Sequence, residues 1–123
     1  MTIRSEEAFL KGLWDWAILD GCFGQTRIKP TDVDGLIERH GCFLFLEAKA
    51  DGKEVSQGQN ITFRQLSRQP RTFVIAFNGN REERTISRIV LYRNGQEIEQ
   101  ENPGVETLRS LVARWYAWAD KQQ

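Results

Sequence analysis

The sequence predicts an α/β fold, a mixed central sheet of four to five strands flanked by helices, built as one domain over residues 1–123. Three observations carry that expectation. Helical and strand patterns alternate along the chain instead of segregating into halves. Residues 72–77 (TFVIAF) are apolar without interruption between Pro70 and Gly79, as in a strand covered on both faces. His40-Gly41 and Asn94-Gly95 each stand between two strand-like runs and suit two-residue hairpin turns.

A chain of 123 residues is long enough to bury one core and too short for two. Apolar residues make up 40% and charged residues 28%, without low-complexity tracts, which is the composition of a folded domain. The N-terminal residues lack a signal-peptide pattern, and no stretch approaches the roughly 18 apolar residues of a membrane span. A soluble, cytoplasmic protein without a membrane partner is expected. Cys22 and Cys42 are too few for a disulfide scaffold or a CxxC metal site and are expected to be free, buried thiols. The single histidine, His40, falls in a predicted turn, so a His/Cys zinc centre or a Ser-His-Asp relay lacks its parts. The net charge is zero, yet residues 61–93 hold seven arginines against Glu82 and Glu83, a local basic bias that suits an anionic partner or a solvated face.

The elements follow in chain order. Ser5 is placed to cap a helix running to about residue 20, with Glu6 and Glu7 in its first turn. Leu10, Leu13, Trp14 and Ala17 form one stripe, flanked by Phe9 and Ile18. Glu6 falls near the centre of that stripe and Glu7 at its edge, so a carboxylate is aimed at the core side. Gly21 and Gly24 end this helix, and a short strand is predicted over residues 26–29, before Pro30.

The first hairpin occupies residues 31–50. With His40-Gly41 as its turn, Asp34 faces Glu47, Leu36 faces Phe45 and Ile37 faces Leu44. Lys49, two residues beyond Glu47, projects from the same face. A one-residue change in the turn would put Asp34 and Glu47 on opposite faces.

After a polar loop, Ser56 and Gln59 have capping-box spacing at the start of a second helix, whose apolar face is Phe63 and Leu66. Residues 72–77 then supply the central strand. A second hairpin turns at Asn94-Gly95 and returns through a strand near residues 97–99, polar enough for a sheet edge. Asn102-Pro103 opens a last helix in which Leu108, Leu111, Val112, Trp115 and Ala119 recur at helical spacing, while Tyr116 and Trp118 fall partly off the stripe, toward solvent. Trp14, Trp16, Trp115 and Trp118 lie mostly at core spacing and are assigned to packing before base stacking.

Three charges at the open end of the first hairpin need a reason. Opposed carboxylates repel, and burying the pair is costly unless a cation, a shared proton or hydrogen bonds offset it. Lys49 alone would make a structural ion-pair cluster. With Glu6 also directed inward, three carboxylates face one lysine, and the surplus charge suits a hard divalent cation such as Mg²⁺ or Mn²⁺, with water completing its shell. Such a metal lowers the pKa of a bound water and polarises a phosphoryl oxygen, while a neighbouring lysine stabilises negative charge. That combination is a site for phosphodiester hydrolysis.

DVDG (32–35), FLFLEAKA (43–50) with Glu47-x-Lys49, and VSQGQ (55–59) together resemble the PD-(D/E)xK nuclease superfamily. Within it, the chain resembles the archaeal-type Holliday junction resolvases and the small virus-type replication and repair (VRR-NUC-like) nuclease domains. The resemblance spans residues 5–80 and implies a restriction-endonuclease-like sheet. It further implies that Asp34, Glu47 and the main-chain carbonyl of Ala48 are metal ligands and that Lys49 is the catalytic lysine. Gln59 matches a glutamine carried on the following helix, although the capping box alone also explains it. Glu6 resembles an acidic ligand on the first helix, with Glu7 as its alternative. Two departures are visible: Pro30 lies four residues before Asp34, and Asp32 is a rival for its place.

The expected activity is that of a Mg²⁺-dependent endonuclease acting on structured or duplex DNA, of a kind that would suit a phage or mobile element. Arg64, Arg68 and Arg71 are candidate phosphate contacts, as is Lys53 in the preceding loop, against the alternative of a hydrated helix face. A homodimer would present two sites to a two-fold symmetric substrate. The rivals are a non-cleaving nucleic-acid or protein binding module on the same fold, and a glycosidase using Asp34 and Glu47 at about 5 Å. The latter is disfavoured because Lys49 would keep both carboxylates ionised.

Overall fold

Two tight turns and a period-two alternation organise the chain after residue 33. The structure is a computed structural model that describes residues 14–123. The chain separates into two units, Met1–Asp32 and Val33–Gln123.

The described part of the first unit departs from the expected helix. Asp15 sits in extended backbone (φ −88°, ψ 105°) and its carboxylate accepts the N–H of Ala17 at 2.9 Å, so it caps a single 3-10 turn, Trp16–Leu19. A short acidic side chain that bonds the backbone locally competes with helix continuation. Gly21 and Gly24 adopt positive φ, and residues 20–25 run as turns. The strand expected at residues 26–29 is absent: the Thr26 hydroxyl donates to the Phe23 carbonyl (2.7 Å) and accepts from Ile28 N–H (3.3 Å), a local arrangement with no strand partner. Trp14, Trp16 and Cys22 are exposed, correcting their assignment to a core, because the described residues around them form a single 3-10 turn and loops, with no α-helix among them.

The second unit is an α/β fold. Its elements are β1 (Gly35–Arg39), β2 (Cys42–Ala50), α1 (Gln57–Ser67), β3 (Thr72–Asn80), β4 (Thr85–Arg93), β5 (Gln96–Glu99) and α2 (Val105–Ala119). The five strands form one mixed sheet in the order β1-β2-β3-β4-β5. β2 and β3 are parallel and joined through α1; the other neighbours are antiparallel. His40 (φ 50°) with Gly41 (φ 79°), and Asn94 (φ 52°) with Gly95 (φ 79°), supply the positive φ values a type I′ turn requires. The register Leu36↔Phe45 and Ile37↔Leu44 is the one the first turn predicts. α2 starts at Val105, later than expected, after Asn102 turns the chain in left-handed backbone (φ 51°).

The two helices pack on the sheet with separate cores. Phe63 of α1 meets Val74, Ala76 and Tyr92, with Phe63 and Tyr92 edge to face at 5.6 Å. Trp115 and Ala119 of α2 meet Cys42, Leu44, Ile75 and Ile89. Trp115 is thus the tryptophan buried in the core, while Trp118 is partly exposed and lies edge to face on Phe73 at 5.4 Å. No helix among the described residues is long and apolar enough to cross a membrane.

Candidate functional site

Alternation along β2 places Phe45, Glu47 and Lys49 on the face that carries α1, and pairing with β3 sets Glu47 beside Ala76 and Lys49 beside Asn78. Glu47 therefore continues an apolar row and is itself 5% exposed. Its Oε1 is contacted by Lys49 Nζ at 3.3 Å and by Gln59 Nε2 at 3.2 Å. Its Oε2 is buried and has no hydrogen-bond partner among the described residues. Burial, and then the charge of Asp34, push the Glu47 carboxyl above the usual carboxylate range, while Lys49 and Gln59 pull the other way.

Asp34 lies one residue before β1, whose pairing with β2 starts at Gly35↔Leu46. Its Oδ2 accepts the N–H of Ala48 at 2.8 Å, so the side chain extends the ladder by one step and is held next to Glu47. Ala48, whose carbonyl the family resemblance adds as a ligand, is thus also the residue that anchors Asp34.

Gln59 fills both of its expected roles. Ser56 Oγ accepts the Gln59 N–H at 3.1 Å, and Gln59 Oε1 accepts the Ser56 N–H at 3.3 Å, closing the capping box. The same side chain then has its Nε2 free to donate to Glu47. The cap fixes the start of α1 over the end of β2, and that placement orients the glutamine.

The loop between β2 and α1 is tied down by residues the sequence reading did not single out. Asn78 Nδ2 donates to the carbonyls of Ala50 (3.0 Å) and Lys53 (2.5 Å). The Ser87 hydroxyl donates to Asp51 Oδ1 at 2.6 Å. Ser87 is the extra residue of a β-bulge, since Asn78 pairs with Arg88 and Gly79 with Ile86. The only sequence signal for Asn78 is a polar residue closing an apolar run, and its role emerges once β2 and β3 are known to pair.

Two clefts meet at Lys49. One, of about 540 Å³ on the α1 face, is lined among others by Lys49, Asn60, Asn78, Arg88, Tyr92 and Glu99. Within it the Tyr92 hydroxyl donates to Asn60 Oδ1 at 2.7 Å, and burial together with the charge of Glu97 pushes the phenol up to about 12. The other, of about 860 Å³, reaches from Ala48 and Lys49 to Arg81, Glu82 and Arg84 in the turn between β3 and β4.

The structure therefore brings Asp34, Glu47, Ala48, Lys49 and Gln59 together, with Lys53 in the adjoining loop. It does not bring Arg64, Arg68 or Arg71 to them. Arg64 pairs with Glu97 at 2.8 Å. Arg68, the C-cap of α1, lies nine residues from Gln59, about 14 Å of helix rise, and its side chain packs on Gly95. Arg71 precedes β3 and donates to the carbonyls of His40 (3.4 Å) and Gln123 (3.3 Å). Asp32 lies outside β1, in the first unit. Glu6 and Glu7 lie outside the described residues, and among the described ones no three His, Cys, Asp or Glu side chains converge as a metal cage. No protein-family model, curated protein or solved structure matches the chain.

Proposed function

We propose that this chain is a metal-dependent nuclease of the PD-(D/E)xK type, with a restriction-endonuclease-like sheet, that hydrolyses DNA phosphodiester bonds endonucleolytically. The observation that carries the proposal is Glu47, a buried carboxylate whose Oε2 has no partner among the described residues, held next to a second carboxylate and a lysine. A buried charge with an unmet oxygen is costly, and a cation relieves that cost. The location agrees, because ligands of α/β sheets bind beyond the carboxyl ends of parallel strands, where Glu47 and Lys49 stand on β2.

The donors fit Mg²⁺ or Mn²⁺. Mg²⁺ commonly takes one or two carboxylates and keeps several waters, so Asp34, Glu47 and the Ala48 carbonyl suffice. When bound, the metal lowers the pKa of a water and polarises the phosphoryl oxygen. The chain's own groups do the rest. Gln59 fixes the Glu47 carboxylate through Nε2, and Asp34 is held by Ala48 N–H. Lys49 Nζ, partly open to solvent, offers a positive charge and hydrogen-bond donors to the phosphate as charge builds on it. A homodimer would present two such sites to a four-way junction.

One observation favours a second reading, a non-cleaving nucleic-acid or protein binding module. Glu47 Oε1 already has two partners in Lys49 and Gln59, as in a structural ion pair. Cleavage of fluorescent duplex, single-stranded and four-way-junction DNA with Mg²⁺, Mn²⁺ or EDTA separates the two. Expected is metal-dependent cutting that falls by at least about 10²-fold in Glu47→Ala and Lys49→Ala. Absence of cutting by folded wild type with either metal would leave the binding module.

A further inference from the structure

The two clefts that meet at Lys49 differ in what they offer an anion. Beside Lys49 on the α1 face, Arg88 is paired with Glu99 at 2.9 Å, Glu97 with Arg64 at 2.8 Å, and Glu54 adds a further negative charge. That wall has little attraction for phosphate. Beyond Ala48 the second cleft carries Lys49, Arg81 and Arg84 against Asp51 and Glu82, and the Asp51 carboxylate is engaged by the Ser87 hydroxyl. Among the described residues, Arg39, Arg64, Arg88 and Arg109 sit in ion pairs; Arg81 and Arg84 are exposed and, like Arg27, Arg68, Arg71, Arg93 and Arg114, in none, but they are the unpaired arginines that line this cleft.

The backbone explains why this turn stands at the site. The bulge at Ser87 adds one residue to β4 opposite Gly79, and bulges bend a hairpin and re-aim its end. Gly79 permits the bend, since a Cβ there would lie 2.3 Å from the Thr85 carbonyl oxygen. Arg84 completes the turn in left-handed backbone, at φ 55°. The turn is thereby set beside the carboxyl ends of β2 and β3.

We propose that Arg81 and Arg84 bind the phosphates flanking the scissile bond, so that the substrate strand leaves Lys49 along the β3–β4 turn and not along α1. This rests on the nuclease reading for the identity of the scissile bond. Guanidinium groups suit the role because they bind phosphate through two parallel hydrogen bonds.

The test is anisotropy binding of fluorescein-labelled single-stranded and duplex DNA in Ca²⁺ over a range of salt, alongside Mg²⁺ cleavage. The proteins are wild type, the double variant Arg81→Gln/Arg84→Gln, and the equal-charge control Arg109→Gln/Arg114→Gln on α2, each checked for an unchanged melting temperature. Expected is a loss of roughly 10-fold or more in affinity for the first double variant, and a salt slope shallower by about 1.4 for single strands or 1.8 for duplex, with little change in the control. Cutting by wild type with affinity and slope unchanged in Arg81→Gln/Arg84→Gln would overturn this inference and leave the nuclease standing. Binding lost in that variant while wild type never cuts would overturn the nuclease and keep the phosphate track. Neither binding nor cutting by wild type would overturn both.

Discussion

At the scale of single residues, Glu47 is where site and stability conflict. Its carboxyl is raised above the ordinary range by burial and by Asp34, so the folded state holds its proton more tightly than the unfolded chain does. For a raised carboxylate the sign is fixed: no penalty below the unfolded value of about 4.3, and a full penalty once pH has risen through the folded value. Glu47→Gln is therefore expected to stabilise the metal-free protein by about 1–3 kcal/mol at pH 7, with the gain shrinking toward pH 4. Urea unfolding at both pH values checks this. A variant less stable than wild type at pH 7 would mean that Lys49 and Gln59 over-compensate the burial, and that the carboxylate is structural. Gln59 shows how much of this was legible in advance. Its capping-box spacing is a local pattern, and the cap itself orients the side chain toward Glu47. Arg64 shows the limit, because its partner Glu97 comes from a strand 33 residues away.

At the scale of elements, turns that dictate their own geometry were readable and contingent features were not. His40-Gly41 and Asn94-Gly95 announce two-residue turns, and the first of them fixes the register that sets Asp34 against Glu47. Of the helix expected from Ser5 to about residue 20, the described residues form instead a 3-10 turn, Trp16–Leu19, capped by the Asp15 bond to Ala17 N–H. The bulge at Ser87 has no local signature either, so Arg81 and Arg84 count toward the basic bias of residues 61–93 in sequence without a place beside Lys49. Gly79 is the test of that bulge. Gly79→Ala forces a Cβ against the Thr85 carbonyl, a backbone atom that cannot swing away, and is expected to cost roughly 1–3 kcal/mol or more. Gly58→Ala is the contrast: the position lies in α1 with nothing within 4 Å of the added Cβ, and helix propensity predicts a gain of about 0.5–1 kcal/mol. Thermal or urea denaturation of the pair reads both signs, and an indifferent Gly79→Ala would show that the hairpin shifts freely.

For the whole sheet, the seam between β2 and β3 decides what sequence could and could not show. Asp34, Glu47 and Lys49 are visible because one hairpin contains them. Asn78, Ser87 and the two clefts depend on a parallel pairing across α1, a non-local fact that no spacing encodes. The same seam also imposes an order in time. Antiparallel hairpins with two-residue turns form in about 1–10 μs, whereas parallel strands wait for the chain between them to close. That order predicts that Asp34 and Glu47 meet early, while still wet, and that Glu47 is dehydrated only when β3 and α1 arrive. Its penalty is then felt after the folding barrier, so Glu47→Gln should slow unfolding and leave the folding rate nearly unchanged in stopped-flow urea experiments. Faster folding of that variant would place the seam's closure before the barrier. If the order holds, the charge that the proposed metal site would use is added to a chain already committed to its fold, and it shortens the lifetime of the native state without obstructing the path to it.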